Sequence, residues 1–182
     1  MRPTFAAFAL LLCLPVLAQE PYVKVEIVEL DTATTADEMR ARARRWFVDT
    51  FKDAKEVIQM DDPNTNTIVG KGSFQYRPTI LNSSEGRIYP VQFSIEIQCK
   101  KGRYRVRLYD FVQPGGGALG PILADSLHCS GSIYYRTTNG TPTKFHEKLC
   151  AKEVWPQIHG TEAQLLSSLK ATMQSKPSGT DW

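Results

Sequence analysis

The stretch from Val91 to Phe111 constrains the fold more than any other part of the chain. It reads VQFSIEIQCK, then Lys101-Gly102, then RYRVRLYDF. Val91, Phe93, Ile95, Ile97 and Cys99 alternate with Gln92, Ser94, Glu96, Gln98 and Lys100. A period of two gives a β-strand one dry face and one wet face. After a turn at Lys101-Gly102, Tyr104, Val106 and Leu108 continue the dry face, and Arg103, Arg105, Arg107 and Tyr109 the wet one. Such a hairpin needs a cover on one side and shows an arginine row on the other. The spacing sets Arg103, Arg105 and Arg107 opposite Gln98, Glu96 and Ser94.

The segments around the hairpin supply the cover. Val23 to Leu30 (VKVEIVEL) reads as a first strand, with Val23, Val25, Ile27 and Leu30 among its apolar positions. Thr35-x-x-Glu38 is a capping box that opens a helix. Met39, Ala43, Trp46, Phe47 and Phe51 recur at helical spacing as its buried stripe, while Arg40, Arg42, Arg44 and Arg45 take the remaining surface. Glu56 to Asp61 is a second strand, Asp62 to Asn66 a turn, and Thr67 to Arg77 a third strand. Gly70 and Gly72 share one face of that strand, which predicts a bulky neighbour there, with Trp46 as the natural candidate. Pro78 to Arg87 is a polar loop. After Gln113 the pattern weakens: a glycine-rich loop, a short helix at Ile122 to Leu127, and a short strand at Ser132 to Arg136. Trp155-Pro156 precedes a break at Gly160, and Thr161 to Met173 is a final helix. The order predicts an α+β fold, an antiparallel meander in β-α-β-β-β-β-α order with two helices on one face.

The first 18 residues have the form of a secretory signal peptide: Arg2, an apolar run from Thr4 to Leu17, and a small residue at Ala18. The expected organisation is therefore residues 1–18 as leader and 19–182 as one α+β domain, with a loop-rich insertion at about 113–159. The apolar run is too short to span a bilayer. Leu12 before Cys13 is not the small residue a lipid anchor requires. Removing the leader lowers the formal charge from +3 to +2, since Arg2 is its only charged residue. So small a charge does not by itself imply a polyanion partner.

Export bears on the cysteines. Cys99, Cys129 and Cys150 follow the leader, so the mature chain has one disulfide and a leftover thiol, or no disulfide. Cys99 lies on the dry face of a strand, which leaves Cys129–Cys150 as the favoured bridge.

Several residues of this chain resemble a bacterial family. They are Thr35-x-x-Glu38 with Arg44-Arg45-Trp46-Phe47-Val48, Thr50-Phe51-Lys52-Asp53, Val57 to Asp62, Ile68-Val69-Gly70-Lys71-Gly72, and Lys101 to Val106. In this order they are similar to the domain-of-unknown-function family 4468, which has a TATA-box-binding-protein-like fold. The likeness covers roughly Tyr22 to Phe111. It implies that fold and an exported bacterial setting, and no activity.

The leading functional expectation is a non-enzymatic binding or interaction domain without a cofactor. Its surface is the wet sheet face, with Lys71, Gln75, Glu96, Arg103, Arg105, Arg107 and Tyr109, and its partner a protein or glycan. The plainer reading of these residues is a solvated face with cross-strand pairs such as Glu96 with Arg105. Nucleic acid is disfavoured, because proteins of that fold wedge apolar side chains between bases and this face carries Arg, Lys, Gln and Ser. His128, Cys129, His146 and Cys150 offer an alternative, a hydrolase-like or metal-binding cluster. Their spacing matches no standard zinc pattern. A structural subunit of an envelope assembly is a third class. Gly115-x-Gly117-x-x-Gly120 lacks the strand–helix context of a dinucleotide site. Asp62-x-Asn64-x-Asn66 lacks the glycine of a calcium loop.

Overall fold

The computed structural model describes residues 20–51, 54–77, 89–114, 119–131 and 143–175. The expected leader with Cys13, the expected loop after Arg77, most of the glycine-rich run and the expected strand at Ser132 to Arg136 lie outside the described residues.

The elements are β1 (Lys24–Glu29), α1 (Ala36–Thr50), α2 (Ala54–Val57), β2 (Ile58–Asp62), β3 (Thr67–Tyr76), β4 (Tyr89–Lys100), β5 (Arg103–Gln113), β6 (Gly120–Pro121), α3 (Lys144–Leu149) and α4 (Trp155–Gln174). The strands form one antiparallel sheet in the order β1-β5-β4-β3-β2, with β6 added to the end of β5. The expected α+β meander with helices on one face is therefore present. Val91, Phe93, Ile95, Ile97 and Cys99 of β4, with Tyr104, Val106 and Leu108 of β5, are all buried. They face α1, whose Met39, Ala43 and Phe47 are fully buried. α4 packs against α1, where the Trp46 indole N–H donates to Ser168 Oγ at 2.9 Å and the Arg42 guanidinium donates to the Met173 carbonyl.

Local chemistry explains several departures from the sequence pattern. Thr35 caps α1 as expected, its hydroxyl accepting from the Glu38 N–H at 3.2 Å. Glu38 does not complete the box; its carboxylate pairs with Arg42 at 2.6 Å instead. Arg40 is not purely surface either, since it joins Arg44 in gripping Asp61 of β2, at 2.5 and 3.2 Å. The neighbour of the two glycines is not Trp46. Phe47 stands over Gly70, and Phe51 and Phe93 stand over Gly72. Trp46 lies one position round the helix and turns toward α4. Glu56 and Val57 belong to α2, so β2 begins only at Ile58.

The C-terminal part departs furthest. Ile122 to Leu127 is not helical. Ile122 donates to the Phe111 carbonyl and Leu123 to that of Cys129, which ties the segment to the sheet. From Lys144 the chain is helical through α3, a π-helical segment (Cys150–Val154) and α4. The helix passes Gly160 without a break and takes up the end of what the sequence reads as a loop-rich insertion. The π segment falls just before Pro156, which has no N–H to give to the preceding turn; a wider turn accommodates that loss.

The first described residues are anchored. Tyr22 donates its backbone N–H to Ile122 and its hydroxyl to Glu162, at 2.9 and 3.2 Å. Its ring meets Trp155 edge-on, and Trp155 stacks on His159. Burial, then the Glu162 carboxylate, pushes the Tyr22 hydroxyl well above its ordinary range.

Candidate functional site

With α1 and α4 on one side, no element among the described residues covers the other face of the sheet. Its composition follows from strand parity. β5 contributes Arg103, Arg105, Arg107 and Tyr109. β4 contributes Glu96, Gln98 and Lys100, and β3 contributes Lys71 and Gln75. Every residue that the sequence assigns to this surface lies on it. The register differs by two residues from the expected one. Arg103 stands opposite Lys100, Arg105 opposite Gln98, and Arg107 opposite Glu96. The cause is the turn: Gly102 takes φ +73° and closes the hairpin with only Lys101 and Gly102 between the strands.

Glu96 organises the middle of the face. Its carboxylate accepts from Arg105 at 2.9 Å and lies 4.0 Å from Arg107. Arg107 also lies over the Tyr109 ring, 4.4 Å from its centre, a cation–π arrangement. Burial, then the charges of Glu96 and Asp110, raise the Tyr109 hydroxyl. Among the described residues Arg103 has only a long pair with Glu29, at 3.9 Å. Lys71 and Lys100 have no carboxylate within ion-pair distance among the described residues. The arginines are thus partly neutralised within the face, while positive charge is left over near the hairpin tip. There Ile27, Gln98, Lys100, Arg103, Tyr104 and Arg105 line a shallow cavity of about 210 Å³. That volume suits one small acidic group better than a whole drug-sized ligand.

Two features of this face escape the hairpin pattern. Val23, Val25 and Ile27 of the first strand region are 39, 49 and 62% exposed, because they lie on the open side. Val28, of the opposite parity, is the residue of β1 that enters the core. The sequence carries this signal: Ile27 and Leu30 differ in parity and cannot share a face of one straight strand. The second feature is Asp110, at φ +54°, where β5 bulges against Gln92–Ser94. The bulge resets the alternation, so Phe111 and Gln113 are both buried.

The cysteine–histidine cluster is a structural knot. Cys129 and Cys150 are disulfide-bonded with Cα atoms 5.6 Å apart. Buried His146 lies beside them and accepts from the Ser130 N–H at 3.3 Å. His128 stays near the surface, its Nδ1 2.6 Å from Asp125 and its Nε2 4.0 Å from Glu147. Sulfurs bonded to each other are neither thiolate nucleophiles nor metal ligands. Asp62 serves its own turn, accepting from the Asn64 N–H and the Thr65 hydroxyl. These bonds, led by that of Thr65, hold its carboxyl below its ordinary value.

An antiparallel sheet with helices on one face and an exposed opposite face defines a TATA-box-binding-protein-like α+β protein. Residues 25–113 match the model of a family described as a domain of unknown function (DUF4468) with TBP-like fold, which bears out the resemblance in the helix and hairpin motifs. Two crystal structures share the fold. A TBP-like protein from Parabacteroides distasonis is 15% identical with a TM-score of 0.50, covering 81% of this chain and 92% of its own. A DUF4468 family protein from Bacteroides ovatus is 12% identical with a TM-score of 0.54, covering 87% and 90%. No curated protein matches the chain significantly.

Proposed function

We propose that this is an exported, non-enzymatic binding domain whose open sheet face takes an acidic glycan or an acidic protein segment. The observation that carries the proposal is the cavity at the hairpin tip, where Lys100 and Arg103 retain positive charge beside Arg105. A carboxylate, phosphate or sulfate group fits the cavity and gains charge-assisted hydrogen bonds there. The apolar flank at Ile27 and the amide of Gln98 supply the mixed surface that a sugar ring or peptide needs. Export is supported by the leader-like residues 1–18 and by the Cys129–Cys150 bond, which suits an oxidising compartment. The bond also removes the thiol chemistry on which the hydrolase-like and metal-binding alternatives depend.

The test is retention on immobilised polyuronate and polyglutamate. The protein is expected to bind at low salt and elute as salt rises. Lys100→Glu with Arg103→Glu should abolish retention and leave thermal stability intact, since neither residue supports the core. Retention that survives this double reversal would place binding elsewhere, and failure to bind any acidic surface would overturn the proposal.

A further inference from the structure

We infer that β1 is a dimerisation edge, at which a second copy of this chain adds its own β1 antiparallel across a twofold axis at Val25. β1 is the terminal strand of the sheet, bonded to β5 on one side. The Leu30 N–H donates to the Gly102 carbonyl, and in an antiparallel pair every second residue bonds the same neighbour. Residues 24, 26 and 28 therefore bond β5, while residues 25, 27 and 29 turn their backbone groups outward. Among the described residues nothing bonds these outward groups.

Edge strands are ordinarily blunted with charge or proline. Here Lys24 and Glu26 lie on the helix side, and the open side shows Val23, Val25 and Ile27, an apolar stripe that runs along the edge. The identity of the occupant comes from the register. Of the twofold registers that use the outward backbone groups, the three centred on residues 25, 26 and 27 overlap most of β1. Centred on Ile27, it sets Val25 against Glu29 and Lys24 against Leu30. Centred on Glu26, it sets that carboxylate against its own copy. Centred on Val25, it sets Val25 against Val25, Val23 against Ile27, and Lys24 against Glu26 twice. Only the last matches apolar with apolar and charge with opposite charge across residues 23–27, and it leaves Glu29 opposite Pro21 at each end of the pairing. Self-complementarity of this kind is what an isologous interface requires. The two sheets would then join into one, with the two arginine rows on a single continuous face.

Sedimentation equilibrium of the purified protein across the micromolar range is the test. A reversible dimer is expected. Val25→Lys puts two like charges on the twofold axis and should return the protein to monomer. Lys24→Glu and Glu26→Lys should each weaken the dimer roughly tenfold, since each creates two like-charge pairs. Combining them restores opposite charges and should restore the dimer. Val25→Cys should give a covalent dimer on mild oxidation, because hydrogen-bonded partners lie within disulfide reach. A protein that is monomeric throughout would overturn the inference. So would a dimer indifferent to Val25→Lys, or a charge-swapped double variant that folds by circular dichroism yet stays as weak as the single ones.

Discussion

Gly70→Ala tests the packing of α1 on the sheet. A methyl group on Gly70 would lie 2.4 Å from Phe47 Cε1, 3.0 Å from Cζ and 3.2 Å from Cδ1. Carbon atoms prefer about 3.5–4.0 Å, so the ring must retreat by about 1 Å. It has little room. Phe47 is fully buried, with Trp46 5.1 Å and Phe51 5.9 Å away between ring centres. Overpacking of this kind costs about 1–3 kcal/mol. Alanine recovers about 0.5–1 kcal/mol through its lower backbone entropy loss in a strand. The net loss should be about 0–2.5 kcal/mol, or up to about 10 °C in Tm for a domain of this size. Urea unfolding of the single variants, Phe47→Leu, and the double variant completes a cycle. The smaller side chain should relieve the clash, giving a coupling of about 0.5 kcal/mol or more. A stabilising Gly70→Ala, or strict additivity in the cycle, would refute this packing.

Other expectations follow from the same geometry. Replacing Cys129 and Cys150 by alanine opens a link across 21 residues and should cost about 3 kcal/mol, read from denaturant unfolding. Stability should fall as pH rises above 9. Burial raises the Cys99 thiol from its ordinary 9.0 to about 12, the nearby Arg40 charge opposing it. Burial, then the Glu26 charge, raises the Tyr104 hydroxyl from 10.0 to about 12. Between those limits the unfolded chain releases protons that the folded one keeps, which favours unfolding. Cys99→Ala should flatten the first part of this decline in a pH series of urea melts. At the bulge, Asp110→Gly should be neutral or stabilising and Asp110→Val destabilising by about 1–2 kcal/mol, because φ +54° suits glycine and crowds a β-branched residue.

How much of this was legible depended on whether the local pattern was unambiguous. The hairpin was legible because one period of two runs through both strands with no competing phase. α1 was legible because its stripe repeats at helical spacing. β1 was legible as a strand but its buried face was not, because VKVEIVEL carries apolar residues in both phases and only the burial of Val28 shows which phase faces α1. The long C-terminal helix was hidden by Pro156 and Gly160. A π segment absorbs the first, and an open surface position tolerates the second. Tertiary ties decided the stretch after Gln113. Ile122 and Leu123 are followed by the helix-favouring Ala124 and Leu127, but their backbone N–H groups are claimed by the carbonyls of Phe111 and Cys129. For the site, parity alone placed the arginine row. The leftover charge at Lys100 became visible only with the register, which shows Glu96 engaged by Arg105 and Arg107 and distant from the hairpin tip.

The function proposed for this protein rests on binding at the open sheet face. Amide chemical shifts of labelled protein, followed while a retained polyuronate or polyglutamate oligomer is titrated in, test it most directly. With the ligand on the open sheet face, the largest shifts are expected at Gln98 to Arg107 and at Ile27, with α1 and α4 nearly silent. Shifts concentrated on α4 or around Cys129 and Cys150, with the hairpin unmoved, would contradict it.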